Sequence, residues 1–522
     1  MSKASEMAKV SAKGSFHILW GLVVSTVISS VATIFVARLL GSDLYGLFGI
    51  ALIAPTLIGV FRDWGINQAM IRDTAQYLAE GRASEVRSIL VSGIVFEVVL
   101  GIVLSAVSFA LSGYLAANVF HRPEIESLMQ IASISILAGG LINAATATFT
   151  GIEKMHLNSY MLIFHSIVKT VLMVGLVVLG LSTSGAILGY TAAMIAGGLI
   201  GVAFVWSQYR HLPKLDGFRF EIKAYIKSML AYGAPLSISV ILAGFLGQYY
   251  AFLLPIFYVS DNVAIGNFGI ASTFVVLIGF FATPINMMLF PAFSKLDANK
   301  DKDTMQNVYQ YSVKYGALFV VPVAALVMCL AEPAVSTLFG QSYMSAPLFL
   351  ALLSFTYFFP AFGSLSVGNF LSSQGKTTFI LYLTLIAVAI GVPLGYALIM
   401  LFGVLGLIAT SLITGIVTTI IPVVWVRKNY GLTVDLGSSA KIVLSSMVSA
   451  ASTFLLVSEL GFSSYIRLII GVVFFALVFV AATLLTKSIS KFDVENLSSM
   501  ANGLGIVGKI LCRILSIYRK LM

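Results

Sequence analysis

Charge is scarce in this chain: only 10% of its 522 residues are Asp, Glu, Lys or Arg, against roughly 25% in an ordinary soluble domain. With 59% hydrophobic residues and a mean hydropathy of +1.00, such a composition excludes the soluble enzymes and binding modules. It reads as an integral membrane protein. Cysteine is nearly absent as well. Cys329 lies in an apolar run and Cys512 near the C-terminus, which excludes a disulfide framework and a thiolate metal cluster; no metal and no cofactor is expected. Long loops are missing too, so no outer domain is expected. The alternation of apolar and polar residues that a barrel strand needs is absent, which leaves helices as the spanning elements. The first apolar run is followed by no small-residue cleavage site, so it is expected to persist as a span rather than be removed as a signal peptide.

What the chain has in abundance is apolar runs of about 20 residues, the length that crosses a hydrocarbon core as a helix. Charges, Gly/Pro and polar clusters divide them near 16-40, 44-61, 88-111, 128-150, 159-181 and 186-207. Further spans follow near 228-254, 264-291, 311-331, 345-371, 378-401 and 404-426, and two more near 441-459 and 465-486. Orientation follows from Lys and Arg, which concentrate in cytoplasmic loops. With the N-terminus inside, 26 of the 31 fall in cytoplasmic tails and loops. Only Arg122 stands in the body of an outer loop. Both termini are therefore expected in the cytoplasm, in a cell-membrane protein, and the net charge of +10 is met by anionic lipid headgroups, without a nucleic acid partner.

Two landmarks recur. "GLFGIALIAPTLIGVF" (Gly46 to Phe61) and "GNFGIASTFVVLIGFF" (Gly266 to Phe281) agree at nine of sixteen positions, 220 residues apart. "GAILGYTAAMIAGGLIGVAFVW" ends at Trp206 and "GVLGLIATSLITGIVTTIIPVVW" at Trp425, an offset of 219. A fixed offset signals duplication, and a unit of six spans gives both copies one orientation. The expected fold is therefore all-α and polytopic, with about fourteen transmembrane helices: a lobe over 1-212, a second over 213-430 related by a pseudo-two-fold along the membrane normal, then two added helices and a basic tail over 431-522. Rocking two such lobes about a central cleft would give alternating access, the work of a carrier rather than an enzyme.

Ionisable residues inside spans are costly and therefore informative. Lys169 stands near the middle of span five, with His165 one helical turn before it on the same face. Glu97, in span three, would either pair with Lys169, as a helix-binding ion pair, or take a coupling H+ or Na+. Arg38 ends span one, where by position alone it is a snorkelling side chain. The second lobe offers Gln248, Tyr249, Tyr250, Asn286 and Asn369 instead of charge, which suggests an anion held by the first lobe and sugar contacts on the second.

The segment "ARLLGSDLYG" (Ala37 to Gly46) followed by "RDWGINQAMIR" (Arg62 to Arg72) resembles the polysaccharide-lipid flippases of the multidrug/oligosaccharidyl-lipid/polysaccharide exporter superfamily. Arg38, Gly41, Asp43, Tyr45 and Gly46 match the opening motif; Asp63, Gly65 and Arg72 match the Asp-x-Gly segment after span two. The loops "GIEKMHLNSY" and "SSQGKTTF" are also similar to the family's. The resemblance implies a carrier of polyprenyl-diphosphate-linked oligosaccharide from the inner to the outer leaflet, with Lys169, His165 and Arg38 on the diphosphate. Membrane lipids and glycan-assembly enzymes are the further expected partners. Lipid II flippases tend to carry several arginines in their first and seventh or eighth spans, which this chain lacks. Multidrug exporters would suit twelve spans and cation-binding acids. A membrane polymerase or ligase would need a large outer loop. Gly375-Lys376-Thr377 is not the end of a P-loop, because Phe370 stands where the first glycine belongs. "DKD" (Asp301 to Asp303) reads as a solvated loop. The tail "KILCRILSIYRKLM" has the spacing of an amphipathic helix on the inner surface.

Overall fold

A computed structural model describes residues 3-213, 221-297, 300-501, 512-513 and 515-520. Among them every regular element is helical. The long helices are α1 (Lys3–Gly59), α3 (Ala83–Tyr114), α4 (Glu126–Gly151), α5 (Met155–Leu176), α6 (Ser182–His211), α7 (Ile222–Phe257), α8 (Asn262–Ser294), α9 (Lys302–Cys329), α13 (Thr377–Phe402), α14 (Val404–Tyr430), α15 (Leu436–Glu459) and α16 (Ser464–Thr486). Shorter ones intervene: α2 (Ile66–Ala79), α10 (Ala331–Leu338), α11 (Ala346–Ser354), α12 (Ser364–Ser373) and α17 (Lys491–Ala501).

Eleven helical stretches among the described residues are long and apolar enough to cross a membrane, or twelve counting a bent pair. Two of them are double length. Trp20–Arg62 takes in the first two expected spans and Met155–His211 the fifth and sixth. Each turns at a glycine: Gly41 has φ 71° and ψ 177°, and Gly180 has φ 88° and ψ 5°, conformations that glycine reaches without a Cβ clash. The twelfth is the expected span 345-371, which is not continuous. It runs as α11, a 3-10 segment over Phe355–Phe362 and α12, with a 55° bend. Pro360 lacks the N–H that would extend the α-helix, and Gly363 (φ 95°) takes the left-handed position that ends the segment.

The chain packs as two compact units, one comprising 1-270, 339-343 and 384-410, the other 271-338, 344-383 and 411-522. In the first, Ile66, Ala69 and Met70 put one face of α2 against Val86, Ile89 and Leu90 of α3, with Ala147 of α4 and Met229 of α7 completing the cluster. The spacing Ile66, Ala69, Met70 is that of an amphipathic helix. In the second, Phe293, Tyr309, Phe370 and Tyr430 form a chain of edge-on and tilted rings with centroids 5.2 to 6.3 Å apart. Its α17 begins with a capping box. Ser490 Oγ accepts from the Asp493 backbone N–H at 3.2 Å, and the Asp493 carboxylate accepts from the Ser490 N–H at 2.7 Å. Of the expected amphipathic tail helix, residues 512-513 and 515-520 are described and are helical; the rest of it lies outside the described residues.

Candidate substrate-binding site

The first unit buries an unusual group of charges. Glu97, midway along α3, is 0% exposed. A carboxylate out of water requires partners. One of its oxygens, Oε1, accepts from Asn67 Nδ2 on α2 at 2.8 Å; the other, Oε2, lies 3.8 Å from Arg62 Nε, in the short 3-10 turn that follows α1. The expected pairing of Glu97 with Lys169 is therefore not formed. The reason is local: Gly139 and Gly140 of α4 open the space that Arg62 fills. A Cβ on Gly139 would stand 2.6 Å from Arg62 Nη1, and one on Gly140 would stand 2.8 Å from Glu97 Oε2. Arg62 Nη1 also donates to the Ile136 carbonyl at 3.2 Å. The pair is nonetheless incomplete. Neither Arg62 Nε nor Glu97 Oε2, both buried, has a hydrogen-bond partner among the described residues.

His165 and Lys169 share a face of α5, as the spacing predicts. Lys169 Nζ stands 5.8 Å from the ring centroid of Tyr190 on α6, a cation–π distance. No carboxylate of the described residues is within ion-pair reach of it. His165 Nε2 is buried and unpartnered; its ring lies against Gly197 of α6, where a Cβ would come within 3.0 Å. Tyr190 is also within electrostatic reach of Arg62. Arg62, Lys169 and Glu97 thus place two cations and one carboxylate inside one helical unit. Together they carry one more positive than negative charge, the sign that an anion requires, and both cations belong to the residue types that hydrogen-bond anionic oxygens.

Arg38 does not join this group by any contact described; it is exposed on α1, its stem near Gly340. The other motif residues build turns and close crossings. Asp63 Oδ1 accepts from the Gly65 N–H at 2.8 Å, and Gly65 (φ 80°) abuts the backbone of Gly233 on α7. Arg72 covers the Tyr232 ring at 3.6 Å and donates to Asp73 at 2.6 Å. Tyr45 is buried edge-on to Tyr343, Asp43 accepts from Asn262 at 3.1 Å, and Gly46 lets α8 approach at Asn262. Gln248 accepts from Thr56 at 3.1 Å, and the Tyr249 hydroxyl donates to the Val392 carbonyl at 3.1 Å. Asn369 donates to Asn286 at 2.8 Å within the second unit.

Sequence reading missed Arg62, Asn67 and Tyr190. Arg62 directly follows an apolar run, where a cation reads as part of a cytoplasmic loop. The adjacent glycines of α4, 77 and 78 positions further on, were the only sequence signal of the space it occupies.

The sequence profile of a family described as polysaccharide biosynthesis protein matches residues 35–348, more than half of the chain. The chain belongs to that family. An uncharacterized membrane protein of Methanocaldococcus jannaschii is 21% identical over 408 residues, which cover 76% of this chain and 80% of that protein. Among solved structures, a lipid II flippase, MurJ, in an inward closed conformation has a TM-score of 0.71 at 16% identity, covering 89% of this chain and 98% of its own. An inward-facing multidrug resistance MATE transporter of the MOP superfamily has a TM-score of 0.63 at 16% identity, over 78% and 94%. This member of the polysaccharide biosynthesis family therefore shares the two-lobed, all-helical fold of those solved structures, the fold expected from its apolar runs and internal repeat.

Proposed function

We propose that this polysaccharide biosynthesis protein carries a polyprenyl-diphosphate-linked oligosaccharide from the inner to the outer leaflet of the cell membrane, by alternating access of its two sequence-related lobes, 1-212 and 213-430. The observation that carries the reading is Lys169: an ammonium over the Tyr190 ring with no carboxylate of the described residues within ion-pair reach. The diphosphate would take Lys169 and compete with Glu97 for Arg62, with His165 as a further donor and Arg38 an outlying cation. Glu97, released from Arg62, would hold a coupling H+ or Na+. Hydroxyl-rich sugars would meet the amide and phenol groups of Gln248, Tyr249, Asn286 and Asn369, while the prenyl chain stays among the membrane lipids. The basic tail would serve as a surface for glycan-assembly enzymes.

The test is leaflet exchange of a labelled polyprenyl-diphosphate glycan in liposomes. Lys169→Ala should insert normally and slow exchange about tenfold, the loss expected when one charge-assisted contact is removed. Exchange at the unmodified rate would return Lys169 to helix packing. The likeness to the lipid II flippase fold supports a second reading, in which the peptidoglycan precursor is the cargo; lipid II in the same assay separates the two. An unchanged glycan chain length after exchange distinguishes a carrier from a polymerase or ligase.

A further inference from the structure

Arg122 is 3% exposed although it belongs to the short connection between α3 and α4. All of its guanidinium nitrogens are engaged. Nε donates to Asn262 Oδ1 at 2.9 Å, Nη1 to the carbonyls of Phe120 and Pro255 at 3.1 and 3.2 Å, and Nη2 to the Tyr258 carbonyl at 2.5 Å. Pro255 and Tyr258 supply carbonyls at the C-terminal end of α7, where no further turn accepts a hydrogen bond and a cation is favoured. The network continues past the arginine. Asn262, the first residue of α8, donates to Asp43 Oδ1 at 3.1 Å, and the Tyr258 hydroxyl accepts from the Val404 N–H, the first of α14, at 3.0 Å. Within the first unit the guanidinium thus joins the segment after α3 to the end of α7 and the start of α8, and through Asn262 and the Tyr258 hydroxyl the network reaches the chain turn at Asp43 and the start of α14.

Beside this network the duplicated glycines cross. A Cβ on Gly46 would collide with the carbonyl oxygen of Asn262, and a Cβ on Gly266 with that of Ser42. Both partners are separated by the same 220 residues as the glycines, so the crossing is a local two-fold: position i of each copy abuts position i−4 of the other. Such backbone proximity supplies shape but no charge, and Arg122 supplies the polar bonds that close it.

We propose that Arg122 is a clasp that holds this end of the first unit closed, and that its release from Asn262, Pro255 and Tyr258 opens the exit for substrate. The proposal rests on the alternating-access reading above, in which the first six helices must part from α7, α8 and α14 at the outer end. The carbonyls and Asn262 that Arg122 leaves would face water on opening, so their bonds would be exchanged for hydration. That exchange is near neutral for exposed groups, which suits a contact that must break every cycle.

The test uses the full chain in liposomes, with Cys329→Ser and Cys512→Ser, and spin labels at Ser127→Cys and Phe402→Cys, two exposed positions of the first unit. Arg122→Gln should raise the population of longer label distances about tenfold, and Asn262→Ala, which spares the arginine and its carbonyl bonds, should raise it less. In the unlabelled background, Asp43→Cys with Asn262→Cys should oxidise to a cross-link that stops exchange until a reductant is added. Distances unchanged in both Arg122→Gln and Asn262→Ala, with melting temperatures showing folded protein, would overturn the clasp. Longer distances in a protein that exchanges no glycan lipid, even unmodified, would sustain the clasp and remove the flippase reading instead.

Discussion

Each unit of the molecule buries an ion pair, and the two are built to opposite standards. In the second unit Lys314 Nζ lies 2.5 Å from Asp493 Oδ2, which also accepts from the Ser490 N–H at 2.7 Å and the Ser490 hydroxyl at 2.6 Å; Oδ1 accepts from the Tyr315 hydroxyl at 3.3 Å. In the first unit Arg62 and Glu97 stand 3.8 Å apart with an orphaned atom on each. A buried pair offsets its desolvation only when geometry and added hydrogen bonds are good. The Lys314–Asp493 pair meets that requirement and anchors α17 to α9. The Arg62–Glu97 pair does not, and Lys169 has no carboxylate of the described residues within ion-pair reach. Satisfied charge fastens the fold, whereas unsatisfied charge leaves capacity for a ligand.

The largest effect expected from this contrast is on stability. Lys314→Ala leaves Asp493 buried and uncompensated, and should cost about 3 to 5 kcal/mol, read as a fall in melting temperature; adding Asp493→Asn should recover much of it. Arg62→Gln should act differently, lowering glycan-lipid exchange about tenfold, or ~1.4 kcal/mol in the barrier, with a smaller change in melting. Adding Glu97→Gln should restore the melting temperature and leave exchange slow. If Arg62→Gln instead destabilised as much as Lys314→Ala while exchange persisted, the two pairs would be alike and the contrast would fail.

The smallest effect concerns pH. Burial pushes the Asp493 carboxyl up, but hydrogen bonds from Lys314 and Ser490 outweigh it, so the group titrates below the usual carboxylate range. A carboxyl lowered by folding lends stability above its unfolded value, and that stability is lost as pH falls through the folded value. Melting temperature should therefore decline on acidification through and below the carboxylate range, and Asp493→Asn should flatten that part of the profile. A profile unaltered by Asp493→Asn would mean that the carboxyl contributes nothing to the anchoring of α17.

The spans were legible because crossing a bilayer demands long apolar runs, and the repeat because Gly46 and Gly266 serve one crossing and tolerate no Cβ. Interruptions inside apolar runs were harder to see. Pro360 and Gly363 break the expected span 345-371, whereas the turn at Gly41 falls in the gap between the expected spans 16-40 and 44-61. The site was legible in its lone members, since Lys169, His165 and Glu97 are conspicuous in apolar helices. Their partners were not, because pairing is set by tertiary approach: Arg62 reaches Glu97 across 35 residues only because α4 presents two glycines there. Asp493, 179 residues from Lys314, was likewise hidden in a segment that reads as tail.

The account turns on two cations set against one carboxylate, Lys169 and Arg62 with Glu97, recognising a diphosphate. Its most direct test is the binding of a short-chain polyprenyl diphosphate to the purified chain, measured beside the corresponding polyprenyl alcohol. The diphosphate should bind at least about tenfold more tightly, and Lys169→Ala combined with Arg62→Gln should erase that preference while leaving the alcohol's affinity as it was. Equal affinity for the diphosphate and the alcohol in the unmodified protein would contradict it.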